Sequence, residues 1–436
     1  MLKMRKVGFL WLLCLMALAC LIPPVNAASG KAIRLAIWSG YPEMAPFYQK
    51  VIEDYKKENP EVEVTFLTNP LREHEQKISA AIPANTAADI IETSTYVMQK
   101  FIDAGLIDPN PPKVDKFLKS GVYDPFYVTL NTSEGKTYGV PFFQGRQVMF
   151  WNTQMFKEAG LSHAPTTWEE VIDFSRKLAK YDAQGNLSRA GISLRKSGGG
   201  SGVTEKWWFW VYPAGGSIVE QVSKDKWRNG YDNDAGRSAL KLYIDLIHKY
   251  KVDSHKIKAD AEGFALQTHA MFTRESWVVG YMKQNAPSVQ FDTAPLPKNK
   301  RAGTICTLMN FYVTKSSKNP EAAWDFVLFM MRPEYQKYLL SKVGWFPCRT
   351  DVDYEEIYKQ VPQYRAFMAL PAGYQLYAYP SLACYDEIQT KLSERLIQAF
   401  LDASLVDNPG KIARVISDAA RETDDILRAN GVYAGK

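Results

Sequence analysis

Histidine and cysteine are scarce, at five each in 436 residues. His74, His163, His248, His255 and His269 form no H-E-x-x-H arrangement and no C-x-x-C pair occurs, so no metal site is expected. The nucleophile elbow G-x-S-x-G is missing too. Ser201, within Gly198-Gly199-Gly200-Ser201-Gly202, has the wrong glycine spacing for it, and no Gly-Lys-Ser/Thr closes the stretch as a phosphate loop. These absences leave no catalytic residue and no cofactor to assign. A glycosidase needs only two carboxylates, which no short motif excludes, so a secreted glycoside-processing enzyme stays open as a second class. No internal repeat of the roughly 20–50 residues that mark a solenoid or propeller is present.

Past the first 27 residues, no apolar run approaches the ~18 that would suggest a membrane span. Those 27 read as an export signal. Lys3, Arg5 and Lys6 form a basic start, residues 7–22 are apolar, and Pro23 and Pro24 break the run. Val25-Asn26-Ala27 supplies small residues for cleavage after Ala27; a lipoprotein signal ending at Cys20 is the rival. Loss of Lys3, Arg5 and Lys6 lowers the formal charge from +6 to +3, too little to imply nucleic acid. The mature chain is expected to be exported, periplasmic or at the cell surface. Cys14 and Cys20 leave with the signal, and Cys306, Cys348 and Cys384 allow at most one internal bridge.

What is present is a globular mixture, 46% hydrophobic, 23% charged and 13% aromatic. At about 150 residues per domain, the length suits three domains or two larger lobes. Residues 33–38 read as a buried strand. Tyr48, Val51, Ile52 and Tyr55 share one helical face that Asn59-Pro60 ends, and Val62, Val64 and Phe66 alternate as a second strand. This β-α-β opening predicts a parallel layer. Residues 89–91 read as a short strand, 97–104 as a helix stopped by Gly105, 135–139 as a hairpin-like turn and 148–151 as a strand. Thr167 can cap a helix whose first turn holds Glu169 and Glu170. Residues 235–250, 321–331, 334–341 and 412–427 also read as helices. Strand and helix alternate without a composition break, which predicts an α/β fold in two lobes.

The aromatic residues suggest chemistry. Trp38 ends the first strand, and Trp207, Trp208 and Trp210 follow the glycine-rich stretch 197–202. Trp277 follows Arg274-Glu275-Ser276, and Tyr379 and Tyr385 lie beside Pro380. Indole and phenol rings stack on the apolar C–H faces of sugar rings, while Asp, Glu, Asn, Gln and Arg pair with the hydroxyls. Runs such as Trp207-Trp208-Phe209-Trp210 also build cores, because one or two of four consecutive side chains must face inwards. At least one tryptophan of this run is expected in a site.

Longer motifs follow one another along the chain. They are Ile37-Trp38, Ala88-Asp89-Ile90-Ile91, Gly135-Lys136-Thr137-Tyr138-Gly139-Val140-Pro141, Trp151-Asn152-Thr153 and Pro165-Thr166-Thr167-Trp168-Glu169-Glu170. Ala270-Met271-Phe272 with Trp277, Ser317-Lys318-Asn319-Pro320-Glu321-Ala322-Ala323-Trp324 and Gly344-Trp345-Phe346-Pro347-Cys348-Arg349 complete the series. In this order and spacing the chain resembles the family 1 extracellular solute-binding proteins of bacterial ABC importers, the maltodextrin- and multiple-sugar-binding class. One departure is Glu275, where the family usually has Gly before Ser-Trp. It adds a charged group beside Trp277 and keeps a non-neutral solute, a sugar acid or polyol phosphate, open as the ligand.

The resemblance implies a two-lobed periplasmic-binding-protein fold, type II-like, with three interdomain crossings and a ligand cleft. Carried over, one lobe is 28–143 with 307–344 and the other is 147–302 with 348–436, with crossings near 144–147, 303–306 and 344–348. It further implies a non-enzymatic, monomeric protein that takes a small carbohydrate and hands it to ABC permease membrane subunits. Contacts are expected from Trp38, Ser39, Tyr41, Thr93 and Tyr96 in the first lobe, and from Gln144 and Arg146 on a crossing. Glu205, Trp207, Trp208, Arg274, Glu275, Trp277 and Tyr385 should face them from the second lobe. Cys348 lies in the third crossing and Cys384 before a helix of the same lobe, so a Cys348–Cys384 bridge is one option, with three buried free thiols as the alternative.

Overall fold

The structure, a computed structural model, describes residues 32–435. The expected export signal, its cleavage after Ala27, the rival site at Cys20 and the residue Cys14 lie outside them. Most expected elements are observed, with small shifts at their ends. The strand Ile33–Ser39, the helix Ala45–Glu58 and the strand Val62–Thr68 make the β-α-β opening, and the two strands pair in parallel. The helix buries Phe47, Tyr48, Val51 and Tyr55 and stops at Asn59, just before Pro60. Thr167 caps the helix Trp168–Leu178 by accepting from the Glu170 amide at 3.3 Å. Gly139 has φ +69, and a Cβ there would fall 2.6 Å from the Tyr312 ring, so the turn into the strand Val140–Arg146 needs glycine on both counts.

Two sheets organise the molecule. In the larger one Ile33–Ser39 lies between Val62–Thr68 and Ile90–Ser94, all parallel. The long strand Ala302–Val313 runs antiparallel to both Ile90–Ser94 and Val140–Arg146. Its first residues, 302–305, pair instead with Tyr374–Tyr377. One strand thus joins the two halves of the molecule. The smaller sheet sets Val148–Asn152 between Met271–Arg274 and Phe291–Ala294, all antiparallel. Four helices, Gly202–Val211, Asp234–Ile244, Tyr385–Leu401 and Pro409–Ala429, pack against one another. The last of these buries Ile412, Ile416, Ala419, Thr423 and Ile426, five of the six residues that helical spacing sets on one stripe, while the sixth, Val415, is half-buried.

Three expectations change, and the first is the helix expected over 334–341, which is α-helical only over Pro333–Tyr338 and widens into a π turn at Leu339–Val343. The helix expected over 235–250 is α-helical only over Asp234–Ile244 and widens into a π turn at Asp245–Lys249. The Cys348–Cys384 bridge is not formed, because Cys306, Cys348 and Cys384 are free and buried. Cys348 is tied to the larger sheet by its amide, which donates to the Phe142 carbonyl at 3.1 Å. Cys384 sits in the other core at the start of the helix Tyr385–Leu401. Burial pushes the Cys306 and Cys384 thiols up to about 11, so both stay protonated at neutral pH.

Candidate functional site

Parallel strands expose their carboxyl ends along one edge of a sheet, and the loops that follow them converge there. Here those loops build one wall of a cleft. Ile33–Ser39 is followed by Gly40 and Tyr41, Val62–Thr68 by Leu71 and Arg72, and Ile90–Ser94 by Tyr96. Phe143, Met309 and Trp345 complete this wall. Its rings interlock. Tyr41 meets Phe143 and Trp345 edge-on at 5.3 and 5.4 Å, and Phe143 lies 4.8 Å from Trp345. The Trp345 indole N–H donates to Glu43 at 3.2 Å.

The opposite wall carries charges. Arg195, Glu205, Lys206, Arg274, Glu275 and Trp277 face Tyr41 and its neighbours across a cavity of about 560 Å³. That volume is ordinary for a small-molecule pocket, about 300–1,000 Å³. Four of the wall's charges, with Asp260 behind them, form a chain of alternating sign. Arg274 donates to both oxygens of Asp260, Nε at 2.6 Å and Nη2 at 2.8 Å, and through Nη1 to Glu275 at 2.9 Å. Lys206 then donates to Glu275 at 2.7 Å and to Glu205 at 2.9 Å. Glu275 also accepts from Gln147 and from the Trp277 indole N–H, so both of its oxygens are fully engaged. Burial alone would raise the Glu275 carboxyl, but the Lys206 and Arg274 cations outweigh burial and hold it well below the ordinary carboxylate range. The Arg274 guanidinium lies 5.2 Å over the Trp277 ring, which fixes the indole as a half-buried platform.

The two walls touch at one end of the cleft. Arg72 Nη2 donates to Ser201 Oγ at 2.7 Å, and the Tyr96 and Tyr379 rings meet edge-on at 4.6 Å. Gly200 has φ +66, and a Cβ there would lie 2.6 Å from the Arg72 guanidinium carbon. The left-handed φ, more than contact with the flexible arginine end, favours glycine here. Tyr379 also donates its hydroxyl to Glu205, which joins this contact to the row of charges.

Of the residues expected in a site, Tyr41, Tyr96, Glu205, Arg274, Glu275 and Trp277 line the cavity. The others do not. Trp38 points to the far side of its strand, under the Lys77 ammonium at 4.0 Å. Ser39 and Thr93 are buried inside the larger sheet. Gln144 and Arg146 point away from the cavity, although Gly145 between them lines it. Arg146 donates to Gln144, to the Tyr127 hydroxyl and to the Phe367 carbonyl at 2.7–2.8 Å. Trp207 has no exposed surface and packs edge-on against Tyr231 at 5.7 Å. Trp208 packs on Tyr377, and Tyr385 is wholly buried beside Tyr379. The helix Gly202–Val211 turns its whole aromatic run inwards and leaves only its first turn, with Glu205 and Lys206, at the cleft. Among the described residues, no group of three or more His, Cys, Asp or Glu side chains could hold a metal ion.

Glu43, Arg72, Arg195, Lys206, Met309, Trp345 and Tyr379 line the cavity without having been assigned to it. Trp345 and Tyr379 had a signal, since one lies in the Gly344–Arg349 motif and the other is an aromatic beside Pro380. Arg72 and Arg195 had none, and Lys206 had only its place between Glu205 and Trp207. Long flexible cations reach a site or solvent according to tertiary packing alone.

The family model for bacterial extracellular solute-binding proteins matches residues 39–337. A binding protein of Brucella abortus (strain 2308) is 23% identical, covering 97% of this chain and 98% of its own length. A maltotriose-binding protein of Pyrococcus abyssi is also 23% identical, over 85% of this chain and 78% of its own. Among solved structures, a maltose-bound protein of T. maritima superposes with a TM-score of 0.75 at 18% identity, covering 91% of this chain and all of its own. A solute-binding protein from Thermotoga lettingae bound with alpha-D-tagatose gives 0.76 at 20% identity, with the same coverage. At such identities the structural likeness speaks to fold, and it gives this chain the two-lobed architecture of these binding proteins. Among the described residues, no helix is long and apolar enough to cross a membrane.

Proposed function

The chain belongs to the bacterial extracellular solute-binding proteins, and on that premise we propose that it binds a carbohydrate between its lobes and delivers it to the membrane subunits of an ABC importer. The observation that carries this reading is the pairing of the two walls. Tyr41, Trp345 and Trp277 offer rings for the apolar faces of a sugar, next to a row of charges that cancel in sequence from Asp260 to Glu205. Such a surface presents fixed donors and acceptors to hydroxyls without a large net charge. The relatives' maltotriose and maltose support the same class of ligand.

The protein acts as a monomeric carrier exported by its first 27 residues, and closure of the lobes is what the permease reads. Its lobes are 28–143 with 307–344 and 147–302 with 348–436. The change of partner along Ala302–Val313, from Tyr374–Tyr377 to Val140–Arg146, supports a crossing at 303–306. Catalysis is not part of this reading. Both oxygens of Glu275 and of Glu205 are already engaged by neighbouring donors, which leaves neither free as nucleophile or base. The test is calorimetric screening of ligand-stripped protein against mono-, di- and oligosaccharides, sugar acids and polyol phosphates. A stable 1:1 complex is expected. Silence across the whole panel overturns the ligand class, and consumption of the bound sugar overturns the carrier role.

A further inference from the structure

A second cavity, of about 530 Å³, adjoins the cleft on the side of the smaller sheet. Its walls come from residues 193–198, 255–260 and 272–274. Arg195, Lys206 and Arg274 line both cavities and form the partition between them. The second cavity is lopsided in charge. Lys196, Lys256 and Lys258 join those three cations in its lining, and Asp260 is its one lining acid.

The remaining acids that neutralise these cations do not line the cavity. Asp253 holds Lys196 from the interior, with 1% of its side chain exposed. Glu205 and Glu275 hold Lys206 from the cleft side. Glu262 meets Lys258 at the surface. Among the described residues Lys256 has no ion-pair partner. Arg195 gives Nη1 to Asp260 at 3.2 Å, and its buried Nε has no acceptor. Donors therefore face the cavity while most of the acceptors stand outside it. A concave, low-dielectric wall focuses the positive potential of such an arrangement.

We propose that this second cavity is an oxyanion subsite, which takes the phosphate or carboxylate of a solute whose hydroxyl-bearing part lies in the cleft. The proposal rests on the reading of the cleft as a solute site and names a further chemical feature of that solute. The partition explains how one molecule can be held in both. On the cleft side Lys206 is engaged by Glu205 and Glu275 and Arg274 by Glu275, so they present neutralised groups there, while Asp260 takes the rest of Arg274 on the second cavity's side and Arg195 and Lys256 retain donors for an anion.

The test uses the full mature chain and titration calorimetry at constant ionic strength, with chloride as the balancing ion so that general screening is held fixed. The probes are inorganic phosphate, glycerol 3-phosphate and glucuronate, each beside its neutral counterpart, glycerol or glucose. Saturable 1:1 binding of at least one oxyanion is expected. Lys256→Gln, at an exposed position, should weaken it about tenfold, and Arg195→Gln by at least as much. The unfolding temperature of each variant is measured alongside; if Arg195→Gln does not fold, Lys256→Gln alone decides. Phosphate and glucuronate distinguish the two sources of the charge. Responses to all three probes no stronger than to chloride, or oxyanion binding unchanged in Lys256→Gln, overturn the subsite. Failure of every neutral sugar with phosphate binding intact would instead count against the carbohydrate reading of the cleft and leave the anion site standing.

Discussion

Two glutamates are buried at the cleft, Glu92 behind the wall of rings and Glu275 within the charged wall; burial raises both carboxyls, and their neighbours decide opposite outcomes. Glu92 stands behind the wall of rings with no exposed surface, and it accepts from the Tyr48 hydroxyl while its other oxygen has no partner. Burial pushes its carboxyl up to about 8, and the Tyr48 and Ser39 hydroxyls hold it back only in part. Glu275 stands in the charged wall, where Lys206 and Arg274 overcome burial and keep it ionised. The ring wall is thus stabilised by removing surface from water, and the charged wall by completing a network. An error in the first leaves a cavity. An error in the second leaves a buried charge with nothing opposite it.

The sharpest break of this contrast is Glu275→Gln. It leaves Lys206 and Arg274 buried with part of their compensation gone. Removing one member of a buried ionic network typically costs about 3–5 kcal/mol. Urea denaturation of the ligand-free variant should show a loss toward the lower end of that range, because Gln keeps the shape of the side chain. Unchanged stability would mean that the network is a solvated surface feature.

Next in size is a pair of tryptophans that sequence alone set in the same role. Trp207→Ala empties a fully buried site and should lower ligand-free stability by about 3–5 kcal/mol. Trp277→Ala removes a half-buried platform instead. It should leave the melting temperature near wild type and reduce affinity for the tightest ligand by about 5- to 150-fold, or about 1–3 kcal/mol. Measuring affinity and melting temperature on both variants checks the split; the reverse pattern would return Trp207 to the cleft.

That pair shows how far the sequence could be read. The β-α-β opening, the Thr167 cap and the stripe on Pro409–Ala429 are local or periodic features, and each is visible in residue order. Tyr41 and Tyr96 were reached only through the family resemblance, which pointed equally to Trp38, Ser39 and Thr93; the two that lie past the strand ends line the cavity and the three within the strands do not. Trp207 was not legible, because a helix with aromatics at 207, 208, 209 and 210 has rings on every side, and only its neighbours decide which face is the core. Lys206 illustrates the converse. Its neighbours Glu205 and Trp207 were expected in the site, yet nothing in the order of residues shows its reach to Glu275, which joins the start of one helix to the end of a distant strand. Such pairings are set by tertiary geometry and leave no trace in spacing.

The two glutamates also predict a pH dependence. Glu92 keeps its proton up to about pH 8 in the folded chain but releases it near ~4.3 when unfolded. Between those values the folded state holds the extra proton, so this group makes stability fall as pH rises. His74, whose Nε2 donates to the Glu92 carbonyl at 2.8 Å, is pushed down to about 4 by burial. The unfolded chain then binds the extra proton between about 4 and ~6.5, and His74 makes stability rise with pH over that range. Above ~6.5 the Glu92 slope is no longer opposed by His74. Denaturation of wild type and Glu92→Gln at pH 6.5 and 8.5 should show a decline in wild type that is smaller in the variant. Equal declines would assign the slope to other groups.

The smallest effect is expected where the walls meet. Arg72 is partly exposed, with 39% of its side chain accessible, and it spends one arm on Glu75 and the other on Ser201. The Ser201 bond crosses the cleft, so any opening of the cleft has to break it. Removing it does not change the ring wall or the row of charges, and a single partly solvated bond contributes about 0.5–1.5 kcal/mol. A ligand that binds the closed form loses affinity by the same amount that closure is disfavoured. Arg72→Ala should therefore weaken binding by only about 2- to 12-fold, mostly through faster release, with the melting temperature of the ligand-free protein nearly unchanged. Ser201→Ala removes the same bond from the other lobe and leaves the Arg72–Glu75 pair intact, so the two variants should agree. If Arg72→Ala weakened binding while Ser201→Ala did not, the arginine would be touching the solute itself, and the contact at Ser201 would be a by-product of the loop lying close.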